Sequence, residues 1–209
     1  MKFYDFARAP SPRRARIFMA EKGLDVEIIQ VDLGAEEQRG EAFTAINPRQ
    51  TVPALVLEDG VVLTDNASIA RYLEETCPEP PLLGRDPIEK ALVAEWTARV
   101  ESEGLMAIAE VLRNTSSFFK KRSLTGPRDY EQIPALAERG AARIEAFFEV
   151  LDTRLQETPY LAGEAFSAAD IAALVCCDFA GWVKMGPPET FKALATWRDA
   201  VNARPSVSA

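Results

Sequence analysis

Four prolines, Pro78, Pro80, Pro81 and Pro87, fall with Gly84 in the short run from Cys77 to Pro87. Proline carries no N–H donor and drives the residue before it out of the helical region, so neither a helix nor a strand ladder runs through such a segment. The chain is thereby divided into 1–77 and 88–209, with 78–87 as the connector, and the two parts differ in texture. In the first, short apolar runs alternate with brief helical patterns. Lys2 to Phe6 reads as a strand, and Ser11-Pro12 as an N-cap with proline at the first helical position, opening a helix that Gly23 ends. Val26 to Leu33 is a second strand and Gly40 to Ala45 a short helix. Pro53 to Leu57 and Val61 to Leu63 flank the turn Glu58-Asp59-Gly60 as a hairpin. Thr64-Asp65-Asn66 offers N-caps for a helix facing inward through Ile69, Tyr72 and Leu73. The order is βαβαββα, with a right-handed first crossover.

Beyond the connector the period lengthens to that of helices. Ile88 to about Phe119 carries Leu92, Trp96, Val100, Leu105, Ile108 and Leu112 at helical spacing, and Ile133 to Leu155 repeats the pattern. Ser167 to Val183 is almost wholly apolar, as a central buried helix must be, and Ser167-Ala168-Ala169-Asp170 fits a capping box at its start. Thr190 to Val201 closes the chain. The expected fold is a small α/β domain followed by an all-α domain.

Composition removes several classes of function. A net charge of −8 argues against a nucleic-acid partner, and no apolar run approaches the ~20 residues of a membrane span. The first residues read directly as a strand and carry no signal-peptide pattern. Cys77, Cys176 and Cys177 form no C-x-x-C pair, which places the protein in the cytoplasm, with Cys176-Cys177 as core. Histidine is absent, so imidazole bases and histidine metal sites are excluded and no metal is expected. What remains is chemistry by hydroxyls, carboxylates, backbone dipoles or a reactive group carried by the ligand. The stretch from Asn47 to Leu73 supplies the dipoles. A proline at a strand start beside an uncovered helix N-terminus leaves free donors and acceptors facing one place, suited to a peptide backbone and a carboxylate.

Four segments in order, SPRRARIFMAEKG, NPRQTVPAL, TDNASIARYL and GEAFSAADIA, resemble the cytosolic glutathione transferase family over nearly the whole chain. The resemblance implies a thioredoxin-like first domain with a cis Val52-Pro53 bond. It implies glutathione as cosubstrate, held by Thr51, Val52 and Pro53 along its cysteinyl backbone and by Asp65 and Asn66 at its γ-glutamyl end. Asn66 stands where the family has serine. It also implies a homodimer, the first domain of one subunit resting on the helical domain of the other.

The family's catalytic serine or cysteine slot falls on Ala9 or Pro10, and neither donates a side-chain hydrogen bond. Nearby candidates for activating the thiol are Ser11, which N-capping alone would also explain, and Tyr4, which core packing would also explain. Arg8, Arg13 and Arg14 are candidates for positive potential near a thiolate, against which Arg13 and Arg14 read more simply as solvated helix surface. Arg99, Glu103, Met106 and Glu110 share one helix face, a candidate wall for a small hydrophobic electrophile between the domains or, alternatively, a dimer interface. Three functions fit: conjugation of glutathione to that electrophile, glutathione binding or scaffolding without turnover, and a glutathione-dependent isomerase or lyase.

Overall fold

The computed structural model describes residues 1–209. Strands β1 (Lys2–Asp5), β2 (Glu27–Gln30), β3 (Ala54–Val56) and β4 (Val62–Leu63) form one sheet in the order β2-β1-β3-β4. β1 runs parallel to β2 and antiparallel to β3, and β3 pairs antiparallel with β4, as the hairpin pattern requires. Helices α1 (Pro10–Glu21), α2 (Glu41–Ile46) and α3 (Asn66–Thr76) complete this part in the βαβαββα order. Alternation along β1 sends Phe3 and Asp5 to one face, both buried, and Tyr4 to the other.

The helical part begins with α4 (Pro87–Arg99), capped by Asp86, whose carboxylate accepts from the N–H groups of Ile88 and Glu89. The single long helix read from the sequence is interrupted. Val100–Leu105 widens into π-helical turns before α5 (Met106–Thr115) resumes the α-helical path. Packing gives the reason: a Cβ on Gly104 would lie 2.6 Å from both Cys176 Sγ and a ring carbon of Phe147, so this stretch presses backbone against two neighbouring helices. Those neighbours are α6 (Pro134–Glu157) and α7 (Ala168–Ala180), and α8 (Lys192–Asn202) follows. No helix is long and apolar enough to cross a membrane.

One contiguous apolar cluster runs from Phe3, Phe18 and Leu55 in the sheet part to Trp96, Phe147 and Leu174 in the helical part. The two textures therefore share a core instead of meeting at a wet boundary. The proline-rich connector is bolted to this core by an ion pair. Lys22 Nζ lies 2.6 Å from a Glu74 carboxylate oxygen and also donates to the carbonyls of Pro78 (3.2 Å) and Pro80 (2.6 Å). Glu74 in turn accepts from the N–H groups of Leu82 and Leu83.

The capping box is present and is extended. Asp170 accepts from Ser167 N–H and Oγ–H, and also from Leu161 N–H and Trp197 Nε1–H, each at 3.0 Å. Burial pushes its carboxyl up to about 6, against the pull of those four donors.

Two outcomes follow from these buried charges. Replacing Lys22 with Met strands a buried carboxylate and two proline carbonyls, and lowers unfolding free energy by about 3 kcal/mol or more in urea titration. For Asp170 the folded state keeps a proton that the unfolded chain releases from about pH 4 upward. The group's contribution is therefore complete below pH 4 and declines until about pH 6. The stability advantage of the native protein over Asp170→Asn shrinks across that window and is flat above it.

Candidate functional site

The loop between α2 and β3 is braced from inside. Asn47, fully buried, donates through Nδ2 to the Thr51 carbonyl at 2.7 Å and to Thr51 Oγ1 at 3.3 Å, and its Oδ1 accepts from Arg49 N–H at 3.0 Å. Gln50 takes a left-handed conformation with φ of 55°, and the Val52-Pro53 bond is cis, as the resemblance implies. Val52 is half-buried, and neither its N–H nor its C=O is hydrogen-bonded within the chain. Pro53 leads directly into Ala54, which pairs with Tyr4. An unpaired donor and acceptor thus sit just upstream of a ladder, where an extended peptide could add as a further strand.

The start of α3 follows the β3–β4 hairpin and supplies the polar end. Asp65 is the N-cap, accepting from Ser68 N–H at 2.8 Å through Oδ1. The N–H groups of Asn66 and Ala67, at the positive end of the helix, have no partner in the chain. The Asn66 side chain turns toward α1, where its Nδ2 donates to Ser11 Oγ at 3.0 Å.

That contact changes the reading of Ser11. The N-cap of α1 is Ala9, with no side-chain capping bond, and the helix begins at Pro10. A proline at the first helical position sacrifices an N–H that would be unpaired anyway, and Pro12, the third helical residue, is tolerated for the same reason. Ser11 therefore lies inside the first turn and caps nothing. Its hydroxyl accepts from Asn66, which leaves its own proton free to donate.

Tyr4 pairs along the sheet with Ala54, next to Pro53. It lies on the opposite face of β1 from Phe3, edge-on against Phe43 of α2 with ring centroids 5.9 Å apart. Asp5 is committed as well. Its carboxylate accepts from Arg16 at 2.6 Å and from Gln30 at 2.8 Å, while Arg16 also donates to the Ala7 carbonyl at 2.9 Å. These bonds fix the turn between β1 and α1. Sequence reasoning missed Arg16, whose only signal is a charge set among Ala15, Ile17 and Phe18 on a helix otherwise buried there.

Arg13 and Arg14 are not solvated surface. Arg13 pairs with Asp178 of α7 at 2.6 Å, and Arg14 with Glu101 at 2.5 Å, so both tie α1 to the helical part. The expected electrophile wall is also revised. Glu110 is taken by Arg139 and Arg143 of α6, and Arg99 lines a groove between α4 and α6. The face of α4 turned to the sheet part is Lys90, Val93, Ala94, Thr97 and Ala98, which with Glu101 of the π-helical turns bounds a cavity of about 310 Å³ with α1, α3 and α7. Burial pushes the Cys177 thiol up to about 12 and Cys176 well above its ordinary value, which leaves both as inert core.

Comparison with known proteins agrees with this geometry in both halves of the chain. The family described as glutathione S-transferase, N-terminal domain, matches residues 9–76, and its C-terminal domain matches 110–205. Glutathione S-transferase 2 of Saccharomyces cerevisiae is 32% identical over 99% of this chain and 88% of its own length. Maleylacetoacetate isomerase of Pseudomonas aeruginosa is 42% identical, but over 44% of each chain. A crystal structure of a glutathione S-transferase domain-containing protein from Marinobacter aquaeolei superposes with a TM-score of 0.91 at 33% identity, covering 99% of this chain and all of that one. On this agreement of fold, motif order and full-length similarity, the chain belongs to the glutathione S-transferase family.

Proposed function

We propose that the protein is a glutathione transferase that adds the glutathione sulfur to a small hydrophobic electrophile, with Ser11 stabilising the thiolate. Thr51, Val52 and Pro53 hold the cysteinyl backbone by main-chain pairing. Asp65 meets the γ-glutamyl ammonium, and Asn66, with the free N–H groups of the helix start, meets the α-carboxylate. The observation that carries the reading is the bond from Asn66 to Ser11 Oγ. It orients a hydroxyl whose proton is uncommitted, on the helix turn next to the family's usual activating position. Tyr4, half-buried against Phe43, is assigned no part in this reading.

The energetics are sufficient. A free thiol with a pKa of about 8.5 is only slightly ionised at neutral pH. Lowering that by roughly two units takes about 2.7 kcal/mol. One charge-assisted hydrogen bond of about 1.5–3 kcal/mol, with about 0.3–1 kcal/mol from the start of α1, covers it. The electrophile is placed against Trp182, which is 51% exposed, stacks edge-on with Phe179, and stands close in the chain to the Asp178 that grips Arg13.

A second reading has one observation in its favour: the identity to the maleylacetoacetate isomerase is higher than to the transferase, over less than half of the chain. In an isomerase the sulfur adds to a conjugated cis alkene and leaves again, so glutathione is not consumed. An assay that follows both thiol loss and alkene geometry separates the two. Retention on a glutathione resin with neither activity marks the third possibility, a binding protein without turnover.

We further place the protein in the cytoplasm, where its three unpaired thiols remain reduced. Its active form is read as a homodimer, with the open groove of Trp96, Arg99, Val150 and Arg154 available to a second copy. Sedimentation at a single chain's mass under assay conditions would refute the dimer. For the chemistry, Ser11→Ala keeps its retention on glutathione resin and loses about tenfold to a hundredfold in kcat/KM toward a generic aryl halide. The pKa of the bound thiol, read from thiolate absorbance, rises in parallel. Turnover equal to that of the native protein would remove Ser11 from the mechanism.

A further inference from the structure

Arg8, Arg49, Arg85, Arg113 and Arg128 are the arginines that reach no carboxylate; each of the others is paired. All but Arg113 are exposed, where water and salt screen the charge, whereas Arg113 of α5 is half-buried. The charge that bears on it is another cation, Arg122. Burial first, and that neighbour second, push the Arg113 guanidinium down to about 10. Its stack on the Phe119 ring, 4.5 Å to the centroid, offsets part of this cost but supplies no negative charge. Nor is the side chain spent on the end of α5. There Gln132 Nε2 donates to the carbonyls of Arg113 and Ser116 at 2.7 and 2.8 Å.

The unfilled edge of this guanidinium has a definite shape. Nη1 donates to the Arg122 carbonyl at 2.9 Å, which leaves Nε and Nη2. Neither donates within the chain, and neither is sealed from solvent, so both are open to a ligand. Their N–H bonds run side by side, the fork that a carboxylate fills with two parallel hydrogen bonds. Arg204 shows the filled form in the same chain: its Nε and Nη2 meet the two oxygens of Glu21 at 2.7 and 2.6 Å. Arg113 has the fork without the acid. Arg122 is already neutralised by Glu36, so one positive charge is open here, and a monoanion matches it where a phosphate dianion leaves an excess. Beside the fork the surface is apolar. Phe119 lies edge-on to Phe118, with ring centroids 4.9 Å apart, and Phe118 is 60% exposed. An acid with an aromatic body thus meets ring surface next to the place that holds its carboxylate.

We propose that Arg113, with Phe118 and Phe119, forms a second ligand site, one that takes a small aromatic monocarboxylate through the Nε–Nη2 fork. It sits at the seam of the two parts, since Arg122 reaches Glu36 and, a few residues on, Asp129 pairs with Arg39 at 3.2 Å. The site does not depend on which glutathione reaction the protein performs, and the carboxylate it holds is not one of glutathione's own.

The test is isothermal titration of the full chain with 4-phenylbutyrate, run beside its neutral amide, 4-phenylbutanamide. The native protein gives saturable heat with the acid at one site per chain, and the amide binds about tenfold more weakly or worse. Arg113→Gln, which removes the charge and the fork, weakens the acid by about tenfold or more. Saturating glutathione leaves the acid's isotherm in place. Circular dichroism matching the native protein confirms that the variant is folded. If it is not, Arg113→Lys, which keeps the charge and loses the fork, takes its place with a loss of about threefold to tenfold. Absence of saturable heat with the acid, or an amide that binds as tightly, overturns the proposal. So does unchanged affinity in the folded variant, which places the acid on Lys120, Lys121 or another exposed cation. Loss of the acid's heat under saturating glutathione gives the fork to the tripeptide and overturns the proposal equally. None of these readouts is turnover, so the site can fail while the transferase reading stands, and the reverse.

Discussion

Helix α1 is buried from two sides, and the geometry of the site depends on that constraint. Ala15, Ile17, Phe18 and Met19 are all at most 4% exposed, a degree of burial that an ordinary surface helix reaches on one stripe only. The sheet takes one side, with Arg16 locked to Asp5, and the helical part takes the other, with Arg13 on Asp178 and Arg14 on Glu101. A helix gripped in this way cannot rotate about its axis or slide along it without breaking ion pairs on both flanks. Its first turn therefore presents Ser11 at a fixed height over the start of α3.

The same grip explains why three arginines stand so close together. Each points from the helix in a different direction, and each meets a carboxylate on a different element. Pairs that are partly buried resist screening better than surface pairs, and breaking one leaves a charge behind. The apolar cluster beneath them is continuous across the two parts, so the cleft is an edge of one core and not a hinge between two bodies. In the proposed reaction, a hydroxyl held by such a frame would need no reorganisation to meet a developing thiolate, which is the condition under which a single hydrogen bond counts for most.

Much of this was legible residue by residue. The hairpin around Gly60, the Asp65 cap and the Ser167–Asp170 box all rest on local chemistry, a φ that only certain residues tolerate or a side chain that reaches three residues ahead, while the cis bond at Pro53 was implied by the family resemblance. What escaped the sequence is relational. The bond from Asn66 to Ser11 joins positions 55 apart, and no period or propensity carries that register. The arginines of α1 looked solvated because their carboxylate partners lie 87 and 165 residues away. The expected face of α4 failed for a different reason. A helical wheel, even across the π-helical turns at Val100–Leu105, gives which residues share a face, as the Arg99–Glu103 bond shows, but not which neighbour that face meets. Arg99 and Glu110, on either side of the break, turn to α6 and not to the cleft.

The shift in the helix start carries the deepest consequence. If Ser11 capped α1, its oxygen would accept from the backbone and its position would serve the fold. Because Pro10 and Pro12 need no capping for N–H groups they do not have, the helix starts one residue after Ala9 and the serine is released. The slot that lacks a hydroxyl and the hydroxyl that lacks a structural task are thus two sides of one arrangement. Ser11, inside the first turn, is directed toward α3, where the Asn66 amide meets it. Serine at position 66 would offer a shorter reach from the same backbone, so the asparagine and the displaced serine make sense as a matched pair.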